Sequence, residues 1–325
     1  MDKSSQNNTN ENKGPRPVSN GVNSKSFENL SEKQIILSLW GILVLLLFLL
    51  LISLFSQQPK ISETLPYVKN PFDSVSVEAR SAIVFDIRNQ KIIYAKDDQA
   101  PRPLASIAKL MTTLVASKEL NKDSIITITR KDIGSEGDSG LRIGEKISFQ
   151  KIIDFTLTGS SNDGASAIAT AAVAVSNKNF SNSMNTLARE IGLNGLLFEN
   201  STGLDGDSVN AGSYGTARDV AKLLAYIVKE DPSLISATRY QNISVESEKG
   251  VRHNAKNTNN ALPFIPGLIG GKTGYTLLSQ GNLAIAFDPG LGSPYTIVVL
   301  GSSEEGRFED VKKLVGATLL YIEQR

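Results

Sequence analysis

The chain has 325 residues, 40% of them apolar and 21% charged, enough for one large globular domain or two small ones and incompatible with a wholly disordered protein. It has no cysteine and one histidine, His253, which excludes a disulfide framework, a thiolate zinc site, a cysteine nucleophile and any metal site built on several imidazoles. Lysine plus arginine number 34 against 33 aspartate plus glutamate, so no basic excess is present to hold nucleic acid.

Residues 1–34 are crowded with Asn and Ser and nearly free of large apolar side chains, which predicts a disordered tail. Residues 35–55 (IILSLWGILVLLLFLLLISLF) carry no charge. At a rise of about 1.5 Å per residue they span roughly 30 Å, the thickness of a bilayer's hydrocarbon core. The run is longer and starts later than the apolar region of a signal peptide, so it reads as one uncleaved transmembrane helix. Lys25 and Lys33 precede it and Lys60 and Lys69 follow it, so charge leaves its orientation undecided. Residues 56–74, with Pro59, Pro66 and Pro71, read as an extended stalk.

A globular pattern occupies 75–325. Ser81–Arg88 and Lys91–Lys96 read as a hairpin across Asn89–Gln90. Ile107, Leu110, Met111, Leu114 and Val115 have helical spacing and mark a buried helix face. Further helices are expected at Phe149–Leu157, Ala165–Val175, Ser183–Ile191 and Thr216–Lys229, the last with Thr216 and Asp219 at capping-box spacing. Asn282–Phe287 and Tyr295–Leu300 read as strands and Phe308–Ile322 as a closing amphipathic helix. Strands at both ends with helices between predict one α+β domain whose sheet joins the two ends of the chain.

Three short motifs could carry chemistry. Ser106 and Lys109 sit three apart at a helix start, where an amine reaches a hydroxyl and can activate it as a nucleophile. The same spacing recurs at Ser148 and Lys151, where Ser148 reads as a simple helix cap. Ser160-Ser161-Asn162 lies between two helices, and Lys272-Thr273-Gly274 reads as a glycine turn leading into the strand near Asn282.

This ordered trio resembles the S-x-x-K, S-x-N and K-T-G motifs of penicillin-binding proteins and class A β-lactamases. The surrounding text, SAIVFDIRNQKIIYAKDDQAPRPLASIAKLMTT, LTGSSNDGASAIA, FENSTGLDGD, GTARDVAKLL and GGKTGYT, is similar to the serine-type D-alanyl-D-alanine carboxypeptidases over about residues 75–325. The resemblance implies a penicillin-binding-protein-like domain, an antiparallel sheet with helices on both faces, and no metal or organic cofactor. Carried over residue by residue, it implies Ser106 as acyl-accepting nucleophile, Lys109 as its base and Ser160 as proton relay to the leaving amine, assisted by Lys272. Asn162 would hold the substrate amide, Thr273 and its neighbour Gly274 the terminal carboxylate region, and the N–H groups of Ser106 and Tyr275 the oxyanion. The implied partners are peptidoglycan stem peptides ending in D-Ala-D-Ala, β-lactams as covalent inhibitors, and the bilayer through 35–55. The implied location is the cytoplasmic membrane, with the tail inside and the domain outside.

Relatives place an arginine after the last strand to help bind the carboxylate, and Arg307 is expected to lie too far along the chain to serve. Alternatives from the same residues are a D,D-endopeptidase, a β-lactamase-like hydrolase and a non-catalytic wall-binding scaffold. Glu190 imitates the deacylating glutamate of class A β-lactamases, but its periodicity places it on a solvated helix face. Asp205-Gly206-Asp207 reads as a turn and His253 as structural or solvent-exposed.

Overall fold

A computed structural model of the chain describes residues 31–56, 70–134, 137, 139–290 and 292–324. Most of the expected tail, and residues 57–69 of the expected stalk, lie outside the described residues. The chain divides into two units, Met1–Tyr67 and Val68–Arg325. In the first, helix α1 (Glu32–Ser56) is apolar around its whole circumference and buries no side chain. Its mean hydropathy reaches 3.2, and it is long and apolar enough to cross a membrane.

The second unit begins with a short 3-10 turn, Pro71–Ser74, whose Phe72 is buried in the core, so the end of the expected stalk packs into the domain. β1 (Ser81–Asp86) and β2 (Lys91–Lys96) form the expected hairpin. The two-residue β3 (Arg102–Pro103) leads through a 3-10 turn at Ala105–Ile107 into α2 (Ala108–Glu119). β4 (Ile125–Thr127) and β5 (Lys146–Ser148) pair as a small ribbon. α3 (Phe149–Gly159), α4 (Asn162–Ser176) and α5 (Phe180–Glu190) follow. α4 and α5 start earlier than expected because the side chains of Ser161 and Asn179 accept the N–H groups of Gly164 and Asn182.

β6 (Leu197–Phe198) and β7 (Ser213–Gly215) join β3 in a second small sheet. Thr216 caps α6 (Ala217–Glu230) through the Asp219 N–H, as its spacing predicted. The hairpin of β8 (Asn242–Glu246) and β9 (Arg252–Lys256) had no strong sequence signal. β10 (Leu268–Thr276), β11 (Gln280–Phe287), β12 (Tyr295–Ser302) and α7 (Gly306–Glu323) close the chain.

The main sheet runs β10-β11-β12-β1-β2, antiparallel throughout, so both ends of the chain contribute to it as expected. Strand side chains alternate between faces. Ile83, Phe85, Val298 and Leu300 therefore enter a core shared with α2 and α6, while Val84, Ile297 and Val299 pack with Phe308, Val311 and Leu314 of α7 on the other face. Both faces are covered, which is why these strands read as continuous apolar runs.

One motif sits differently from its sequence reading. Lys272-Thr273-Gly274 is not a turn before a strand but lies inside β10, paired with Ala284, Leu283 and Asn282 of β11. Its glycines are needed for close approach rather than for a turn: a Cβ on Gly271 would lie 2.6 Å from the Ala284 carbonyl.

Candidate active site

Ser106 stands in the 3-10 turn that precedes α2, and the residue before it, Ala105, has φ of 50°. A left-handed alanine is strained, so its surroundings must over-determine it. The Leu104 N–H donates to the Ser213 carbonyl, and Asn282 Nδ2 donates to the carbonyls of Pro103 and Leu104. Two glycine backbones press on the same turn. A Cβ on Gly203 would lie 2.0 Å from the Ala105 carbonyl oxygen, and one on Gly274 2.7 Å from that of Leu104.

Lys109, the second residue of α2 and one turn on from Ser106, is fully buried. Its Nζ lies 2.8 Å from Ser106 Oγ, 2.7 Å from Asn162 Oδ1 and 2.8 Å from the Thr202 carbonyl. Each of these three partners is uncharged, and burial pulls the lysine from 10.5 down to about 7. A neutral amine has two N–H donors and one lone pair. Asn162 Oδ1 and the Thr202 carbonyl can only accept, which leaves the lone pair for the Ser106 hydroxyl proton. The Thr202 carbonyl is presented by a loop that Asn200 holds, its Oδ1 accepting from Thr202 N–H, Thr202 Oγ1 and Gly203 N–H.

Ser160 ends α3 in the left-handed conformation, with φ of 62°. Lys272 Nζ donates to its Oγ at 2.8 Å and to the Thr273 carbonyl at 3.0 Å. Burial first, and then the positive charges of Lys109 and Arg307, hold the Lys272 ammonium well below its usual range. Asn162 opens α4 beside it. Thr273 Oγ1 shares a 2.5 Å hydrogen bond with Thr258 Oγ1, a partner that nothing in the sequence marks. Tyr275 follows on β10 with an exposed side chain.

The expectation for Arg307 is overturned. Tyr275 of β10 pairs with Gly281 of β11, which pairs with Ser302 of β12, so the three strands align these residues in one row. Arg307, five residues beyond Ser302, is thereby returned to the K-T-G segment and donates from Nη1 to the Gly274 carbonyl at 2.9 Å. It is 7% exposed, its Nε has no hydrogen-bond partner among the described residues, and burial lowers its pKa. Ser106, Ser160, Asn162, Leu204 and Tyr275 line one cleft of about 770 Å³, with Lys109 and Lys272 buried behind the Ser106 and Ser160 hydroxyls. Asp205 closes one wall by accepting from Thr276 Oγ1 and the Leu278 N–H.

The sequence matches the D-alanyl-D-alanine carboxypeptidase family, peptidase S11, over residues 67–304. The chain belongs to that family. It is 28% identical over 245 residues to the D-alanyl-D-alanine carboxypeptidase DacF of Bacillus subtilis (strain 168), across 73% of this chain and 61% of the relative. It is 31% identical over 151 residues to a D-alanyl-D-alanine endopeptidase of Escherichia coli (strain K12), across 46% of this chain and 47% of the relative. The chain therefore spans about half to six tenths of these curated relatives. Penicillin-binding protein D2 of Listeria monocytogenes, solved in its cefotaxime-bound form, superposes with a TM-score of 0.65 at 26% identity, over 75% of this chain and 98% of that one.

Within this carboxypeptidase-family domain the look-alike motifs lie elsewhere. Glu190 is exposed and lines a separate groove with Lys118 and Lys178. Lys151 donates to the Glu246 carbonyl, and Ser148 sits at a helix start without capping it through its side chain. Asp207 accepts from the N–H groups of Val209 and Asn210, a local turn as expected. His253 is structural: it is buried, with Nε2 2.7 Å from Glu145 Oε1 and its ring edge-on to Phe155.

Proposed function

We propose that this chain is a serine D,D-carboxypeptidase that removes the terminal D-Ala from peptidoglycan stem peptides through an acyl-enzyme at Ser106. The observation that carries this reading is the Lys109 amine, 2.8 Å from Ser106 Oγ in a buried site without a carboxylate partner and held near 7. Neutral Lys109 takes the hydroxyl proton as Ser106 Oγ attacks the carbonyl of the penultimate D-Ala. The N–H groups of Ser106 and Tyr275 receive the oxyanion. The proton taken by Lys109 is relayed through Ser160, backed by Lys272, to the departing amine of D-Ala, which leaves Lys109 neutral again. Water then hydrolyses the ester and regenerates Ser106.

The substrate's terminal carboxylate is read by Thr273 and Arg307. Arg307, anchored on the K-T-G strand, favours an anionic ligand there, and its buried Nε has no hydrogen-bond partner among the described residues. Gly274 leaves room for the Leu104 carbonyl by lacking a Cβ and holds Arg307 through its own carbonyl. β-Lactams acylate the same hydroxyl, a reading that the cefotaxime-bound relative supports. Because the substrate lies outside the cytoplasmic membrane, α1 anchors the domain on the outer side with the 1–34 tail inside.

A D,D-endopeptidase uses the same residues, and the 31% identical relative named an endopeptidase favours that second reading. The deciding experiment is mass spectrometry of the purified full-length chain with a D-Ala-D-Ala pentapeptide, a cross-linked peptide dimer and penicillin. The expected results are loss of one D-Ala from the pentapeptide and a penicilloyl adduct on Ser106. A penicilloyl label on Ser148, or no label on folded protein, would overturn the assignment.

A further inference from the structure

Arg307 makes one short hydrogen bond of its own, to the Gly274 carbonyl, and its nearest carboxylate, the exposed Glu304, lies 4.0 Å away. Its guanidinium is located by that hydrogen bond, by the Phe308 ring centred 4.7 Å from Arg307 Cζ and by the backbone of the first turn of α7, from which both Arg307 and Phe308 project. That turn has no capping side chain at Glu305. It is held instead by the segment through which the chain enters the domain. Asp310, one turn along from Arg307 and 1% exposed, accepts the Glu78 N–H on Oδ1 at 2.8 Å. Its Oδ2 accepts the Ala79 N–H at 2.8 Å and the Ser302 hydroxyl at 2.9 Å.

A second layer closes on the same turn. The Glu78 carboxylate accepts from the Ser303 N–H at 3.1 Å and the Ser303 hydroxyl at 2.9 Å. Ser303 Oγ in turn accepts the Gly306 N–H at 3.0 Å, and the Ser303 carbonyl accepts that of Arg307. The fit is tight, since a Cβ on Gly306 would lie 2.0 Å from Glu78 Oε2. Residues more than 200 positions apart in the chain thus meet at the root of one arginine.

We propose that Asp310, supported by Glu78, is a positioning residue for Arg307, so that the entrance segment of the domain sets its selectivity for substrates with a free C-terminal carboxylate. The proposal rests on the reading of Arg307 as a carboxylate ligand. A carboxylate held by charge-assisted hydrogen bonds is sensitive to displacement of the donor by a fraction of an ångström, whereas Ser106 and Lys109 belong to other elements and keep their geometry.

The test compares hydrolysis of an acyl-D-Ala-D-Ala peptide with that of the same peptide ending in a carboxamide, using the full-length chain. The readout is the ratio of the two kcat/KM values. Arg307→Ala is expected to lower the acid-to-amide ratio by at least about tenfold. Asp310→Asn lowers it on the order of tenfold through KM for the acid, with kcat held within about threefold. Glu78→Ala lowers it about threefold, and Glu78→Gln, which keeps one acceptor oxygen, recovers most of the loss. If Asp310→Asn does not fold, Glu78→Ala and Glu78→Gln decide alone. Asp310→Asn or Glu78→Ala slowing both substrates equally, or leaving the ratio within a factor of about two, overturns the positioning role, as does Glu78→Gln failing to recover the ratio lost in Glu78→Ala. An unchanged ratio in Arg307→Ala instead sinks the carboxylate reading beneath it.

Discussion

Lys109 shows how burial converts an ordinary surface cation into a base. Its value of about 7 lies far below the 10.5 of an exposed lysine, so between those values the unfolded chain binds a proton that the native protein does not. Stability should therefore rise as pH increases from about 7 toward 10.5, and stay at its lowest, unchanging contribution from this group below about 7, where both states bind the proton and the buried amine carries charge. Thermal unfolding from pH 6 to 9 checks the sign, and Lys109→Met should flatten the curve and raise the melting temperature most at pH 6. The acylation rate should climb with pH through about 7 as the lone pair becomes available. In Lys109→Met, penicillin labelling of Ser106 should fall by on the order of 10²–10⁴, with the fold retained. Labelling at the native rate would remove Lys109 from the mechanism.

The turn that carries Ser106 is kept in place by elements distant in sequence, with Gly203 and Gly274 providing the room. Gly203 has φ of 77° as well as the close approach to Ala105, so Gly203→Ala meets both backbone strain and a clash. It should destabilise the domain by about 2 kcal/mol or more and slow acylation at least tenfold in the protein that remains folded. Gly316→Ala is the matched control. That glycine lies exposed within α7, with nothing within 4 Å of an added Cβ. The change should stabilise by roughly 0.5–1 kcal/mol and leave acylation unaltered. Calorimetry with a labelling time course separates the two outcomes.

Across the chain, the question of enzyme class falls on Glu190 and that of sidedness on α1. Glu190 borders a groove that shares no lining residue with the Ser106 cleft, which argues against its activating water at the acyl ester. The penicilloyl adduct should be long-lived, and Glu190→Gln should alter neither its lifetime nor peptide hydrolysis beyond a factor of about two. Rapid native turnover of penicillin that collapses in this variant would make the protein a β-lactamase. For α1, protease added outside spheroplasts should release a soluble domain by cutting near residues 56–75 while the 1–34 tail stays protected. A mature N-terminus at or beyond Ser56 in untreated cells would show cleavage instead.

Features carried by a local pattern were legible in the sequence. The apolar run of α1, the helical spacing from Ile107 to Val115, the Thr216 cap and the adjacency of Ser106 and Lys109 each depend on neighbours within about one or two helical turns. Motif order extended this to Ser160, Asn162 and Lys272, which the structure brings to one cleft through Lys272–Ser160 and Lys109–Asn162 contacts. Long-range pairing remained hidden. The K-T-G segment looked like a turn because its glycines answer to the carbonyls of Leu104 and Ala284, not to a local bend. Arg307 looked misplaced because counting along the chain ignores the antiparallel row Tyr275–Gly281–Ser302 that brings it back. The depressed pKa values of Lys109 and Lys272 come from exclusion of water by surrounding elements, a property of packing that no stretch of sequence encodes alone.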